Sequence, residues 1–267
     1  MIKSILILFL AFLGFNNSLF AAACSTANSG TTTTWPASGG GQCSAEPDYY
    51  KLTIYDMKLC TSAPAAPTSS SAIVLTSCQN VFYNSSGNAI EVVNGSSSAM
   101  TGTISRPTNG TYTHGYIRIS KDFVIGDSRQ YSADATDGTT IGDYCATTSS
   151  GVQCSGSAIT ITSSDYRTMT LNDFGTSQYT YNTTENSEEI NAYLTGTNEY
   201  LSTSDDNNGY LVGVQTFSSP IVITDNTSSM NASFKVASGM TISNDDGQTP
   251  PLLGLYNGPF FVKMTTN

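Results

Sequence analysis

Charge is scarce in this chain. Asp, Glu, Lys and Arg make up 11% of its 267 residues, against about a quarter in an ordinary soluble protein. Ser, Thr, Asn and Gly fill the space, so hydroxyls and amides must carry much of the solubility. The charge that is present is acidic, with 20 Asp and Glu against 10 Lys and Arg and a formal net of −10. The basic residues do not cluster. A nucleic-acid partner, which needs a basic footprint to neutralise phosphates, is therefore not expected, nor is an anionic membrane surface. Histidine is nearly absent, with His114 alone, and no C-x-x-C occurs, so the residues of a zinc site are missing. No G-x-S-x-G marks a nucleophilic serine, and phosphate loops and dinucleotide fingerprints are absent. No metal or cofactor is expected. The longest apolar run, "ILILFLAFLGF" at 5–15, falls short of the roughly twenty residues that span a bilayer, so no integral membrane helix is expected.

That run has a different use. Lys3 precedes it, polar Asn16, Asn17 and Ser18 follow it, and small Ala21 and Ala23 stand where a signal peptidase reads. Residues 1–23 are read as a secretory signal peptide. The mature protein is then exported to the bacterial periplasm, the cell surface or the medium.

Six cysteines remain after such cleavage: Cys24, Cys43, Cys60, Cys78, Cys145 and Cys154. An even count in an exported chain suggests disulfides, and the spacing favours neighbours in order, although six cysteines allow fifteen connectivities. The rival at Cys24 is lipidation, which would make an outer-membrane lipoprotein. "AAAC" resembles a relaxed bacterial lipobox but has Ala21 where leucine is usual. A lipid there would also strand one other cysteine.

Residues 24–47 form a Ser/Thr/Gly-rich arm without periodicity, and it holds the only tryptophan, Trp35. We expect Trp35 to fold back onto the sheet. From Asp48 to residue 267 the pattern is β. "YYKLTIYDMKL" (49–59) places Leu52 and Ile54 in one phase and Tyr55, Met57 and Leu59 in the other, which predicts a bulge at 54/55. Further strands are expected at 72–76, 80–84, 89–93, 112–120, 158–162, 168–172, 210–217, 220–224, 232–237 and 259–265, where Val, Ile, Thr, Tyr and Phe dominate. Asn-Gly or Asp-Gly at 94–95, 109–110, 137–138, 208–209, 246–247 and 257–258 supplies turn chemistry. "NSEEINAYL" (186–194), with Ser187 as a cap, predicts one short helix. The expected fold is all-β: a single elaborated antiparallel β-sandwich over 48–267, Ig-like, prealbumin-like or jelly-roll, with at most one short helix. Two stacked sandwiches split near residue 127 are the alternative.

"NGTYTHGYIRIS" (109–120) resembles the strand opening of prealbumin-like and other Ig-like extracellular modules, in which a turn glycine precedes a tyrosine on a core strand. The resemblance covers about a dozen residues and implies a sandwich and no activity.

The remaining residues carry little concentrated chemistry. In its strand His114 shares a side with Tyr112, Tyr116 and Arg118, opposite Ile117 and Ile119, which predicts a polar outer face. "TSDDNNGY" (203–210) departs from a calcium loop at Ser204 and Gln215, and it and "SNDDGQ" (243–248) read as polar hairpin tips. Glu188 and Glu189 are adjacent and should point apart. Fifteen tyrosines can stack on sugars or fill a core. After residue 23, six N-x-S/T sequons, at Asn84, Asn94, Asn109, Asn182, Asn226 and Asn231, are what an Asn-, Ser- and Thr-rich chain makes by chance. The expected function is an exported, non-enzymatic structural or adhesive protein of the cell surface or envelope, with self-assembly or an envelope partner. A secreted glycan-binding module is the alternative, and a secreted hydrolase a lesser one. The arm lacks the alternating apolar residues of a donated strand, whereas "GPFFVKMTTN" alternates Phe260, Val262 and Met264 as an edge strand would.

Overall fold

The computed structural model describes residues 22–24, 32–33, 41–92, 99–171, 179–182, 188–202 and 209–267. Among them the chain forms β1 (Ala22–Ala23), β2 (Thr32–Thr33), β3 (Gln42–Ala45), β4 (Tyr49–Cys60), β5 (Cys78–Glu91), β6 (Thr103–Ile104) and β7 (Gly110–Ser120). β8 (Asp122–Gly126), β9 (Ser128–Thr136), β10 (Ile141–Thr148), β11 (Gly151–Ser155), β12 (Arg167–Thr170) and β13 (Tyr179–Asn182) follow. The last are β14 (Glu189–Thr195), β15 (Tyr210–Ile223), β16 (Met230–Lys235), β17 (Met240–Asn244), β18 (Leu253–Asn257) and β19 (Phe261–Thr266). The first 21 residues, Trp35, Ser187, Ser204 and the Asn94–Gly95 pair lie outside the described residues.

β4 organises the molecule. Its pairing with both β5 and β7 shifts register between Ile54 and Asp56. That bulge inserts one residue and flips the phase of everything after it. Leu52, Ile54, Met57 and Leu59 consequently all face one core, while Tyr55, the inserted residue, is half-buried. β5 lines one edge of β4. β7 and β8 follow one another along the other edge, and the sheet continues through β15 beside β7, β12 beside β8, then β14 and β13. β6 borders β5.

Three smaller sheets pack with this large one: β1-β3-β17-β18, β11-β10-β9-β2, and the two-stranded ribbon β16-β19. One buried cluster takes members from all of these layers, including Cys43, Leu52, Tyr131, Cys145, Ile242, Leu255 and Val262. The architecture is an all-β sandwich of antiparallel sheets; of the two parallel strand pairings, β2 with β9 brings the N-terminal arm onto a sheet edge, and β1 with β3 involves Ala22 and Ala23, the last residues of the expected signal peptide.

Local chemistry explains where the segments settle. Asp137–Gly138 and Asp246–Gly247 join β9 to β10 and β17 to β18, with glycine φ of 93° and 66°, a conformation that a Cβ opposes. Asn109–Gly110 and Asn257–Gly258 instead mark strand ends. Two expected strand pairs fuse: 80–84 with 89–93 into β5, which ends at Glu91, and 210–217 with 220–224 into β15. The second fusion tolerates Pro220 because the β7–β15 register breaks between Thr216 and Ile221, so no ladder N–H is needed there.

Three expectations are corrected. Residues 188–194 of the expected helix do not form one; β14 takes up Glu189–Thr195, because Ile190, Ala192 and Leu194 alternate onto the inner face between β13 and β15, while 186 and 187 lie outside the described residues. Residues 158–162 are irregular and lead into a single 3-10 turn, Ser163–Asp165, where Asp165 accepts from the Thr162 N–H at 2.8 Å. Residues 72–76 make only isolated bridges, Ala72 to Tyr200 and Val74 to Ala65, within the loop closed by Cys60 and Cys78.

Candidate functional site

The inner face of the large sheet is built from cross-strand rows. Leu59, Gly115, Gln215 and Ile190 sit side by side across β4, β7, β15 and β14, followed by Met57, Ile117, Gly213 and Ala192, then Ile54, Ile119, Leu211 and Leu194. The rows are apolar except for Gln215, and their large residues give way to Gly213 and Ala192 toward β14. The ribbon lies over them: β19 sends Val262 and Met264 inward, as the alternation predicted, while β16 contributes Phe234 and Met230.

The ribbon is narrow, and hollows flank it. Behind β19 lies an apolar pocket of about 210 Å³, walled by Ile117, Ile119, Phe123, Leu211, Phe260 and Val262 among others. One end is polar. The buried Gln215 amide donates to Glu188 Oε2 at 2.5 Å, and Glu188 Oε1 accepts from Ser218 N at 3.3 Å and Oγ at 3.2 Å. The Gln215 Oε1 faces the Val262 N–H at 3.4 Å, tying β19 to the sheet. Glu188 and Glu189 do point apart: Glu188 is buried, while Glu189 is exposed and accepts from Asn191.

Beside β16 runs a larger cleft of about 1060 Å³. Its opposite wall is β5 with β6, through Val81, Phe82, Ile90 and Ile104. Ile104 is 70% exposed, a heavy exposure for isoleucine, and β6 pairs with β5 alone among the described strands.

For the opposite face of the large sheet the alternation in β7 predicts a polar surface around His114. The structure corrects this. Tyr116, Val212, Val214 and Tyr193 are buried there in a second core with Cys60 and Ile73, against which Leu75 packs. The loop between Cys60 and Cys78 folds over the face, and Tyr112, at the far end of β7, joins the main core. His114 is half-buried beneath this cover; its Nδ1 is 2.8 Å from Thr113 Oγ1, and burial holds its pKa below 6.5. The charges on this face are few and coupled. Lys58 pairs with Asp56 at 2.9 Å, and Arg118 pairs with Glu199. The Arg118 guanidinium also lies 4.9 Å from the centre of the Tyr210 ring, which Tyr55 meets edge-on at 5.1 Å. Asp56 is raised above its usual range by burial, against the pull of Lys58 and Arg118. Asp56 Oδ1, Arg118 Nε and Tyr116 Oη are buried without a hydrogen-bond partner.

A second buried pair lies between the sheets. Arg129 Nε donates to Asp127 Oδ2 at 2.6 Å, and Nη2 donates to Oδ1, a two-point geometry. Burial raises Asp127, and Arg129 opposes that rise.

The cysteines pair as Cys24–Cys43, Cys60–Cys78 and Cys145–Cys154, each with its neighbour in sequence. A thioether lipid on Cys24 and its disulfide to Cys43 exclude one another. In "SNDDGQ" the carboxylates are occupied by the turn itself: Asp245 accepts from Ser243 and Tyr256, and Asp246 accepts from the Gln248 and Leu252 N–H groups. Among the described residues no group of three or more His, Cys, Asp or Glu could hold a metal ion, and no helix is long and apolar enough to cross a membrane. The exposed tyrosines, Tyr83, Tyr200 and Tyr256, sit on β5, the β14–β15 connection and β18 respectively.

The sequence reading missed the Gln215–Glu188 link and both hollows. One signal was present: in the inward phase of β15, Leu211, Gly213, Gln215 and Phe217, a polar residue interrupts an otherwise apolar set. Comparison with family models, with curated proteins and with solved structures finds no match to this chain.

Proposed function

We propose that this is an exported, non-enzymatic protein of the cell surface or envelope, structural or adhesive in role, that joins other chains through its incomplete second layer. The observation that supports this reading is the cleft beside the ribbon. β16 and β19 form a pair of six-residue strands over a much wider sheet, and the cleft, whose lining mixes apolar Val81, Phe82, Ile90 and Ile104 with charged Glu91, Arg106 and Lys235, continues that layer. A strand edge offers unpaired N–H and C=O groups to an added strand, and flanking apolar walls take its alternate side chains. Six residues extend over about 20 Å, room for a partner segment of similar length. The arm at 24–47 has too few alternating apolar residues to serve, so the segment comes from elsewhere. Three disulfides and a hydroxyl-rich surface suit work in an oxidising compartment.

The experiment is the assembly state of the mature protein beside that of Ile104→Asp. The side chain is exposed, so the substitution should leave stability within about 0.5 kcal/mol while placing a charge in the cleft. Loss of assembly in the variant supports the reading. A wild-type protein that remains a monomer alone and with extracts of its own envelope contradicts it.

A further inference from the structure

We propose that the pocket behind β19 is a binding site for a compact, uncharged, apolar ligand about the size of toluene. The site adjoins the cleft beside β16, with which it shares Met57 and Met264, and the inference does not depend on assembly.

Size comes first. At about 210 Å³ the pocket exceeds the roughly 150 Å³ at which a cavity lined by Leu, Ile and Phe binds benzene. The lining has the same chemistry: Ile117, Ile119, Leu211 and Val262 supply aliphatic surface, and Phe123 and Phe260, 6.2 Å apart, supply rings. The space is set by the sequence, since the middle cross-strand row ends in Gly213 and Ala192 where neighbouring rows carry Leu211 and Leu194 or Gln215 and Ile190.

Polarity then selects the ligand. Gln215 spends its amide on Glu188 and faces the Val262 N–H, and the Glu188 oxygens accept from Gln215 and Ser218. The Gln215 amide is thus satisfied within the protein, and the polar Thr241 and Asn257 of the lining are uncharged. No lysine or arginine is among the lining residues. An anionic ligand would bury its charge without a partner, which is costly, so the site should discriminate against charge at constant shape.

The test uses the mature protein with ¹³C-labelled methionine methyls, titrated with toluene and with benzoate. Met57 and Met264 line the pocket; they also reach the cleft, whose other methionines, Met100 and Met230, are absent from the pocket lining. Toluene should shift Met57 and Met264 saturably, leave Met100 and Met230 in place, and raise Tm. Benzoate should do none of this. Ala192→Leu, which fills the pocket from the β14 side, should weaken toluene binding at least tenfold and raise the Tm of the ligand-free protein. If that variant fails to fold, the wild-type shifts and Tm still decide. Absence of a saturable shift, equal binding of benzoate, movement of Met100 and Met230, or unchanged affinity in a folded Ala192→Leu would each overturn the proposal.

Discussion

The two faces of the large sheet are closed in opposite ways. On one, the loop between Cys60 and Cys78 lies over Tyr116, Val212 and Tyr193 and is fastened by a disulfide, by the Ala72–Tyr200 bridge and by the Leu201 N–H donating to Thr68 O at 2.9 Å. On the other, a short ribbon covers long apolar rows and leaves a hollow on each side. A covalently closed loop is free to follow the contour beneath it, so it seals the face. A strand pair is held straight by its own ladder and cannot spread sideways, so wide sheets need either more strands or a partner. The first face is finished within the chain, and the second presents edges.

The largest expected effect comes from opening the sealed face. Replacing Cys60 and Cys78 together by serine releases a loop whose ends are 18 residues apart. Loop entropy alone predicts a loss of about 3 kcal/mol, read from the denaturant midpoint of oxidised protein. The lost cover should also raise dye binding at Ile73 and Leu75. Dye binding near the clefts should not change, which distinguishes the faces.

Next is Arg118→Ala. It removes the partner of Glu199 and one of two cations beside Asp56. A fully buried pair broken in this way costs about 3–5 kcal/mol. Lys58 remains beside Asp56 and Glu199 is partly exposed, so about 2 kcal/mol is expected in equilibrium unfolding. A value near zero would mean that the sealed face does not depend on its charges.

The smallest effect concerns pH. Burial depresses the His114 pKa below 6.5, so as pH falls the unfolded chain binds the proton first. Its contribution to stability is complete above about 6.5 and declines as pH drops through that value. Asp56 and Asp127, raised by burial, act with the opposite sign at lower pH, because the folded state then binds protons first. Comparing unfolding midpoints of wild type and His114→Gln from about pH 7.5 to 5.5 isolates the histidine; the variant should lose part of the decline.

Much of the sandwich was legible because its signals are local. The bulge in β4 was written in the phase slip between Ile54 and Met57, and the inward residues of β19 in the alternation of Val262 and Met264. The Asp-Gly pairs marked two real turns. What failed was context. "NSEEINAYL" carries helix-start chemistry, yet its Ile190, Ala192 and Leu194 also fit period two, and a place between two strands decided the matter. "AIVLT" reads as a strand but lies inside a disulfide loop, where it makes only single bridges to Ala65 and Tyr200. The face around His114 looked polar because the residues that bury it, Ile73 and Leu75, come from a segment some 40 positions away. The hollows depend on which layer is narrow, and width is a property of the assembled sheets that no single stretch records.

The central claim is that the uncovered face exists to receive another chain. Sedimentation velocity on the mature, oxidised protein, alone and with extracts of its own envelope, tests it most directly. The account predicts species larger than a single chain that disappear with Ile104→Asp while the variant's Tm is unchanged. A single-chain species under every condition, or assemblies indifferent to Ile104→Asp, would contradict it.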